Sequence, residues 1–191
     1  MTDRRTEILD AALHVLAEHG MRGLTHRAVD AAAGIATGST SYYFRSRSAL
    51  VTGCVERLLE VDLEVESTAT AAADDAAGLV DVLVAVGVAL ATTERHRTLA
   101  RYELSLAAVR DPELRAGMVR AGDVIRARGA AALGAIGAVE PGRAAEQLMA
   151  VLDGLVLTAL VRGPREPAAL AAALRPTLER VVRGEPGVDR A

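Results

Sequence analysis

From Ile8 to Val181 the apolar residues of this chain recur at three- and four-residue spacing, and Ala, Leu and Val carry most of that hydrophobicity. Such spacing lays a stripe along one side of a 3.6-residue helix, whereas a half-buried strand alternates at every second residue. Residue type agrees with spacing. Runs such as Ala71-Ala72-Ala73 and Ala130-Ala131-Ala132 favour helix, and aromatic residues, which favour sheet, make up only 2%. The expected fold class is all-α, with about nine helices. The 191 residues suffice for one packed body and a small satellite domain.

Capping residues divide the chain. A first helix from about Arg4 to His19 carries Ile8, Leu9, Ala12, Leu13 and Leu16, and Gly20 closes it. Thr25 is placed to cap a helix over 26–33, and Gly34 to supply a positive torsion for a tight turn that Ile35 plugs. Ala36 or Thr37 begins a third short helix through Phe44, and Ser46 opens a long fourth one. Asp74 or Asp75, Thr93, Asp111-Pro112, Glu140-Pro141 and the 163–167 loop mark five further starts. Pro176 is expected to kink or break the last helix, and 184–191 to fray.

Several functions are disfavoured. No stretch approaches the roughly 20 uncharged residues of a membrane span, because Arg or acidic residues interrupt each one. The N-terminus leads into an amphipathic helix rather than a signal peptide, so the expected compartment is cytoplasmic. A lone Cys54 allows neither an internal disulfide nor a multi-cysteine metal site. His14, His19, His26 and His96 stand in no metal-ligand spacing, and no Gly-rich phosphate loop follows a strand. The reading is of a non-enzyme without metal or cofactor.

Charge distribution says more than its sum. The net charge is −3, yet residues 1–50 carry six Arg against five acids, and 31–55 hold Arg45 and Arg47 with no acid at all. A local basic footprint on a mildly acidic chain suits a small head that reads DNA on a larger body. The 25–47 segment has the matching form: two short helices joined by a Gly turn, the second bearing Thr37, Gly38, Ser39, Thr40 and Ser41. Small hydroxyl residues let a helix come close to base edges and phosphates. Three of the four aromatics follow at once as Tyr42, Tyr43 and Phe44, with Phe44 as the inward anchor and at least one Tyr facing the DNA backbone.

Residues 5–55 resemble the N-terminal domain of the tetracycline-repressor (TetR) family of regulators. The matching features are the apolar helix ending in Gly20, the 24–29 and 33–35 segments, Gly38-Ser39-Thr40, Tyr43-Phe44, and Arg47 before Ala49-Leu50. The resemblance implies that Thr25, Tyr43 and Arg47 touch phosphates and that 37–42 faces bases, with Arg27 among the DNA-facing residues. It also implies a head at 1–46, a ligand-binding and dimerising body at 47–191, and a homodimer held by the last two helices of each subunit. Two positions depart from the family pattern. Ser41 replaces a usual second tyrosine, so the phosphate contact made there is either lost or moved to Tyr42. Asp30 replaces a small Ala, and an acid there is unfavourable unless it caps the third helix or pairs with an Arg such as Arg27.

A ligand pocket follows from the same resemblance, with Tyr102, Glu103, Met149 and Asp153 as its candidates. The scarcity of aromatics suggests an aliphatic cavity and a largely apolar small-molecule ligand. The expected function is therefore a sequence-specific regulator of transcription, a repressor that leaves its operator DNA when the ligand binds. The alternatives are a DNA-binding regulator that responds to no ligand or to a partner protein, and a helical interaction protein that binds no DNA.

Overall fold

Asp75, Asp111 and Glu166 each stand just ahead of a helix and accept its first free backbone N–H groups, at 2.7–3.1 Å. Such caps, with the glycine turns between them, cut the chain into helices. A computed structural model describes residues 3–70, 75–164 and 166–184, with side chains at 66–70 left aside. The described residues form α1 (Arg4–Gly23), α2 (His26–Ala32), α3 (Ser39–Tyr43), α4 (Arg47–Thr70) and α5 (Ala76–Ala91). They continue with α6 (Arg95–Ala108), α7 (Pro112–Ala135), α8 (Pro141–Arg162) and α9 (Pro167–Val182). The all-α expectation stands.

The differences are local. Helix α6 starts at Arg95, two residues beyond the Thr93 cap read from sequence. Pro176 lies inside α9 without ending it, since the helix continues to Val182. Asp74, the alternative cap for α5, lies outside the described residues, as do Ala71-Ala72-Ala73 and the expected frayed tail beyond Gly184.

Two units pack separately: Met1–Asp62 with His96–Gly122, and Leu63–Arg95 with Asp123–Ala191. In the first, Ile8, Leu13 and Leu16 on α1 are enclosed together with Leu50 and Cys54 on α4 and Leu104 on α6. Burying each such Leu contributes about 1.5–3 kcal/mol. Cys54 is wholly enclosed, and burial pushes its thiol up to about 12. Arg101 on α6 ties the unit further by a two-pronged pair with Asp62 on α4, both contacts at 2.7 Å.

In the second unit α5, α8 and α9 surround Val80, Val84, Leu148, Leu170, Leu174 and Leu178. Gly87 allows the close approach. A Cβ there would meet Leu174 Cδ1 at 2.9 Å and Leu152 Cδ1 at 3.3 Å. Helix α8 leaves much apolar surface outside this core. An 18-residue window of it reaches a mean hydropathy of 1.6 with only 17% buried, so by length and composition alone it could cross a membrane. Glu146 and Asp153 interrupt it, as expected from the sequence, but the average is still that of a span. Ala150, Gly154, Leu157 and Val161 follow one another along its exposed side at helical spacing.

Candidate nucleic-acid interface

The interface is assembled on α1, which must end before α2 can turn away. Gly20 breaks it with φ 64° and ψ −174°, in the left-handed region that favours glycine. The backbone groups freed at this break are taken up by side chains from afar. Met21 N–H donates to Glu103 Oε2 at 3.2 Å, and the Arg47 guanidinium donates to the carbonyls of Met21 and Leu24. Neither role was legible in the sequence, because partners 82 and 26 residues away leave no local signal.

Thr25 then starts α2 as expected, accepting the Ala28 N–H at 3.1 Å. Its hydroxyl proton is left to donate outward. Helix α2 stops at Ala32, and Gly34 makes the turn at φ 64°. Ile35 packs half-buried beneath it.

Helix α3 is shorter than the 36–44 span read from sequence. Gly38 takes φ 94°, which no right-handed helix contains, so the helix runs only from Ser39 to Tyr43. The cause is Asp30. Its carboxylate, 3% exposed, accepts Gly38 N–H at 2.7 Å, Thr40 N–H at 2.8 Å and the Thr40 hydroxyl at 2.6 Å. Of the two ways to accommodate an acid here, the chain uses capping of the third helix. Burial alone would raise the Asp30 pKa; the Thr40 hydroxyl, the two backbone N–H groups and nearby His26 outweigh it and hold the carboxyl below its ordinary 3.8.

The same contact turns Thr40 inward. It is fully buried, with its hydroxyl given to Asp30, so the expectation that it faces bases is corrected: Thr40 holds the helix in place. Ser39 is half-buried and donates to the Ala36 carbonyl at 2.6 Å. Thr37, Gly38, Ser41 and Arg27 are exposed. Tyr42 is 78% and Tyr43 41% exposed, their rings edge to face at 5.3 Å. For an aromatic pair so much exposure is unusual, and it leaves both rims open to a partner. Phe44 is the inward anchor, 2% exposed. It fits because α4 carries Gly53: a Cβ there would lie 2.8 Å from both Phe44 Cε1 and Leu9 Cδ2. His26 Nε2 meets the Phe44 carbonyl at 2.7 Å.

The electrostatic result is one-signed. Over 31–55 the charged side chains are Arg45 and Arg47, both exposed, and the nearest preceding acid, Asp30, is buried behind α3. A polar helix that ends in two exposed Tyr and is followed by two exposed Arg can meet a phosphate backbone and present hydroxyls to base edges.

The four ligand candidates are placed differently. Tyr102 is half-buried and Glu103 is engaged with Met21 N–H, both in the first unit. Met149 is half-buried and Asp153 exposed, both in the second. A cleft of about 330 Å³ in the second unit lies instead between α5 and α9, where Asp81 and Arg175 pair at 2.7 Å. No group of three or more His, Cys, Asp or Glu side chains that could hold a metal occurs among the described residues.

Comparison with known proteins covers nearly the whole chain. Residues 8–54 match the family profile described as bacterial regulatory proteins, tetR family. Residues 74–184 match the tetracyclin repressor-like C-terminal domain. No curated protein matches the chain. Among solved structures, a TetR family member from Streptomyces coelicolor A3 is 31% identical, with a TM-score of 0.69 over 93% of this chain and 98% of that one. The multidrug binding protein EbrR, solved with imidazole, is 30% identical with a TM-score of 0.69 over 99% and 98% of the two chains. EbrR has also been solved with ethidium and with proflavin. A transcriptional regulator from Rhodococcus sp. Rha1 shares the fold at 24% identity, with a TM-score of 0.77 over 98% and 100%.

Proposed function

The chain belongs to the TetR family of DNA-binding transcriptional regulators, and from that membership we propose that it is a ligand-released repressor working as a homodimer in the cytoplasm. Residues 1–46 read the operator, and 47–191 hold the ligand and the partner subunit. The observation that carries DNA reading is the exposed surface built by Thr37, Gly38, Ser41, Tyr42 and Tyr43 on a buried Asp30–Thr40 and Phe44 foundation. Thr25, Tyr43 and Arg47 fix the head on phosphates, with Arg27 beside them. Thr37, Gly38, Ser39 and Tyr42 approach the bases. Arg47 spends part of its five-donor guanidinium on Met21 and Leu24, which supports this role by holding it in one orientation.

Dimerisation is supported by the apolar stripe of α8. A helix whose mean hydropathy is that of a membrane span, yet which its own unit covers so little, suits a two-fold contact with the same helix of a second copy. Exposed Ala172, Ala173 and Pro176 on α9 extend the surface with small residues that permit close helix approach.

The ligand is a small, largely apolar molecule, and a cationic group improves it. EbrR, 30% identical, has been crystallised with the cationic aromatics ethidium and proflavin. Each unit offers one such pair, Glu103 beside Tyr102 in the first and, separately, Asp153 one turn from Met149 in the second. Glu103 also offers a route to the head, since a cation that draws its carboxylate away releases Met21 N–H at the end of α1.

The test is operator titration with and without a lipophilic cation that does not intercalate, because ethidium and proflavin bind duplex DNA by themselves. A ligand that stabilises the protein and lowers operator affinity agrees with the proposal. Stabilising ligands that leave operator affinity unchanged would make the regulator ligand-independent.

A further inference from the structure

A helix of five residues does not hold itself together. Nucleation is unfavourable, and α3 is barely more than one turn, so its shape must be imposed from outside. Helix α2 imposes it from two positions four residues apart, hence on one face. At the N-terminal end of α3, Asp30 takes Gly38 N–H and both donors of Thr40. At the C-terminal end, His26 Nε2 lies 2.7 Å from the Phe44 carbonyl. A carbonyl only accepts, so the proton of that bond is on Nε2.

Resting on the reading that α3 meets base edges, we infer that His26 and Asp30 form a two-point clamp, with Thr40 as its receiving side chain, and that the clamp sets operator specificity. Asp30 and Thr40 cannot do so by contact, being 3% and 0% exposed. They are positioning residues. Their effect falls on base readout in particular, because a hydrogen bond to a base edge weakens steeply with misdirection. Phosphate contacts made by long Arg side chains adapt to a small shift of the helix and carry no sequence information. Losing the clamp therefore costs discrimination while general attraction to DNA remains. The burial of Asp30 has a second consequence. A carboxylate so close to the expected phosphate surface would repel DNA if it turned outward, and its three donors keep it facing in.

The experiment begins with the wild-type protein selecting duplexes from a random-sequence pool. The recovered duplex and a scrambled version are then titrated at several salt concentrations against wild type, Thr40→Val, Thr40→Ser and Asp30→Asn. Thr40→Val keeps the shape and removes the hydroxyl, so it serves even if Asp30→Asn does not fold. Thr40→Val is expected to lose about tenfold or more of the preference for the recovered duplex, the worth of one charge-assisted hydrogen bond. Its affinity for the scrambled duplex and its salt slope should hold, and Thr40→Ser should retain the preference. An unchanged preference in Thr40→Val overturns the clamp, and so does an equal fall in affinity for both duplexes. If the wild type recovers no preferred duplex, the regulator reading itself falls, and the clamp with it.

Discussion

Arg47 shows how one side chain can serve fold and function together. Its guanidinium closes the carbonyls left at the end of α1 and is proposed to reach a phosphate. Arg47→Ala should therefore weaken binding to every duplex and reduce the salt slope by about one unit for each phosphate it no longer neutralises. It should also lower stability by about 1 kcal/mol, because two carbonyls are left without their donor. Titration at several salt concentrations, paired with denaturant melts, checks both; an unchanged slope would remove Arg47 from the phosphate set. Asp30 gives a second expectation at this scale. Its pKa is depressed in the folded protein, so its stabilisation is present above the ordinary 3.8 and fades as pH falls through the lowered value. Asp30→Asn should be destabilised at pH 7 by about 2–3 kcal/mol, the cost of disturbing charge-assisted bonds to buried donors. That deficit should narrow as the wild type is acidified. A gap that stayed constant as the pH fell well below 3.8, with both proteins still folded, would contradict the lowered pKa.

Among the elements, those legible in the sequence were fixed by local chemistry. Thr25, Ser46, Asp75 and Asp111 cap their helices because the donors they satisfy lie two or three residues away. What stayed hidden depends on distant partners. The start of α3 moved to Ser39 because Asp30, a whole helix earlier, holds Gly38 out of helical torsion. The glycines were hard to read for the same reason. At the glycines 117, 122, 129, 134 and 137 a Cβ would meet nothing nearer than 3.7 Å. Gly53 and Gly87 make tight contacts instead, with side chains brought in from distant parts of the chain. Gly53→Ala should displace Phe44 or Leu9 and destabilise by about 1–3 kcal/mol, as overpacking does. It should also weaken operator binding by shifting the anchor of α3. Denaturant melts and duplex titration read the two effects, and a stabilised variant would show that the core yields without cost.

For the whole molecule, the expectation concerns association. Leu157 is 49% and Val161 70% exposed on the α8 stripe. Leu157→Glu should turn a dimer into a monomer by sedimentation, with operator affinity greatly reduced because two recognition helices no longer act together. Those helices must meet major grooves about 34–36 Å apart, or a multiple of that spacing. A wild type that remained monomeric at micromolar concentration would refute the assembly. Ligand response obeys the same linkage. A ligand that weakens operator binding by some factor must bind the DNA-free protein more tightly by that factor, which calorimetry with and without operator can compare.

Cys54 adds a use for what is otherwise core filling. The chain has no second sulfhydryl, and this one is 0% exposed with its thiol held protonated far above neutral pH. Only a thiolate reacts readily, so a maleimide added to the native protein must wait until the core around α1 and α4 opens. Labelling then works as a stopwatch, its rate counting openings of the unit that carries the recognition helix. Operator DNA should slow the clock, and a releasing ligand should restart it, with no dye or tag engineered into the chain.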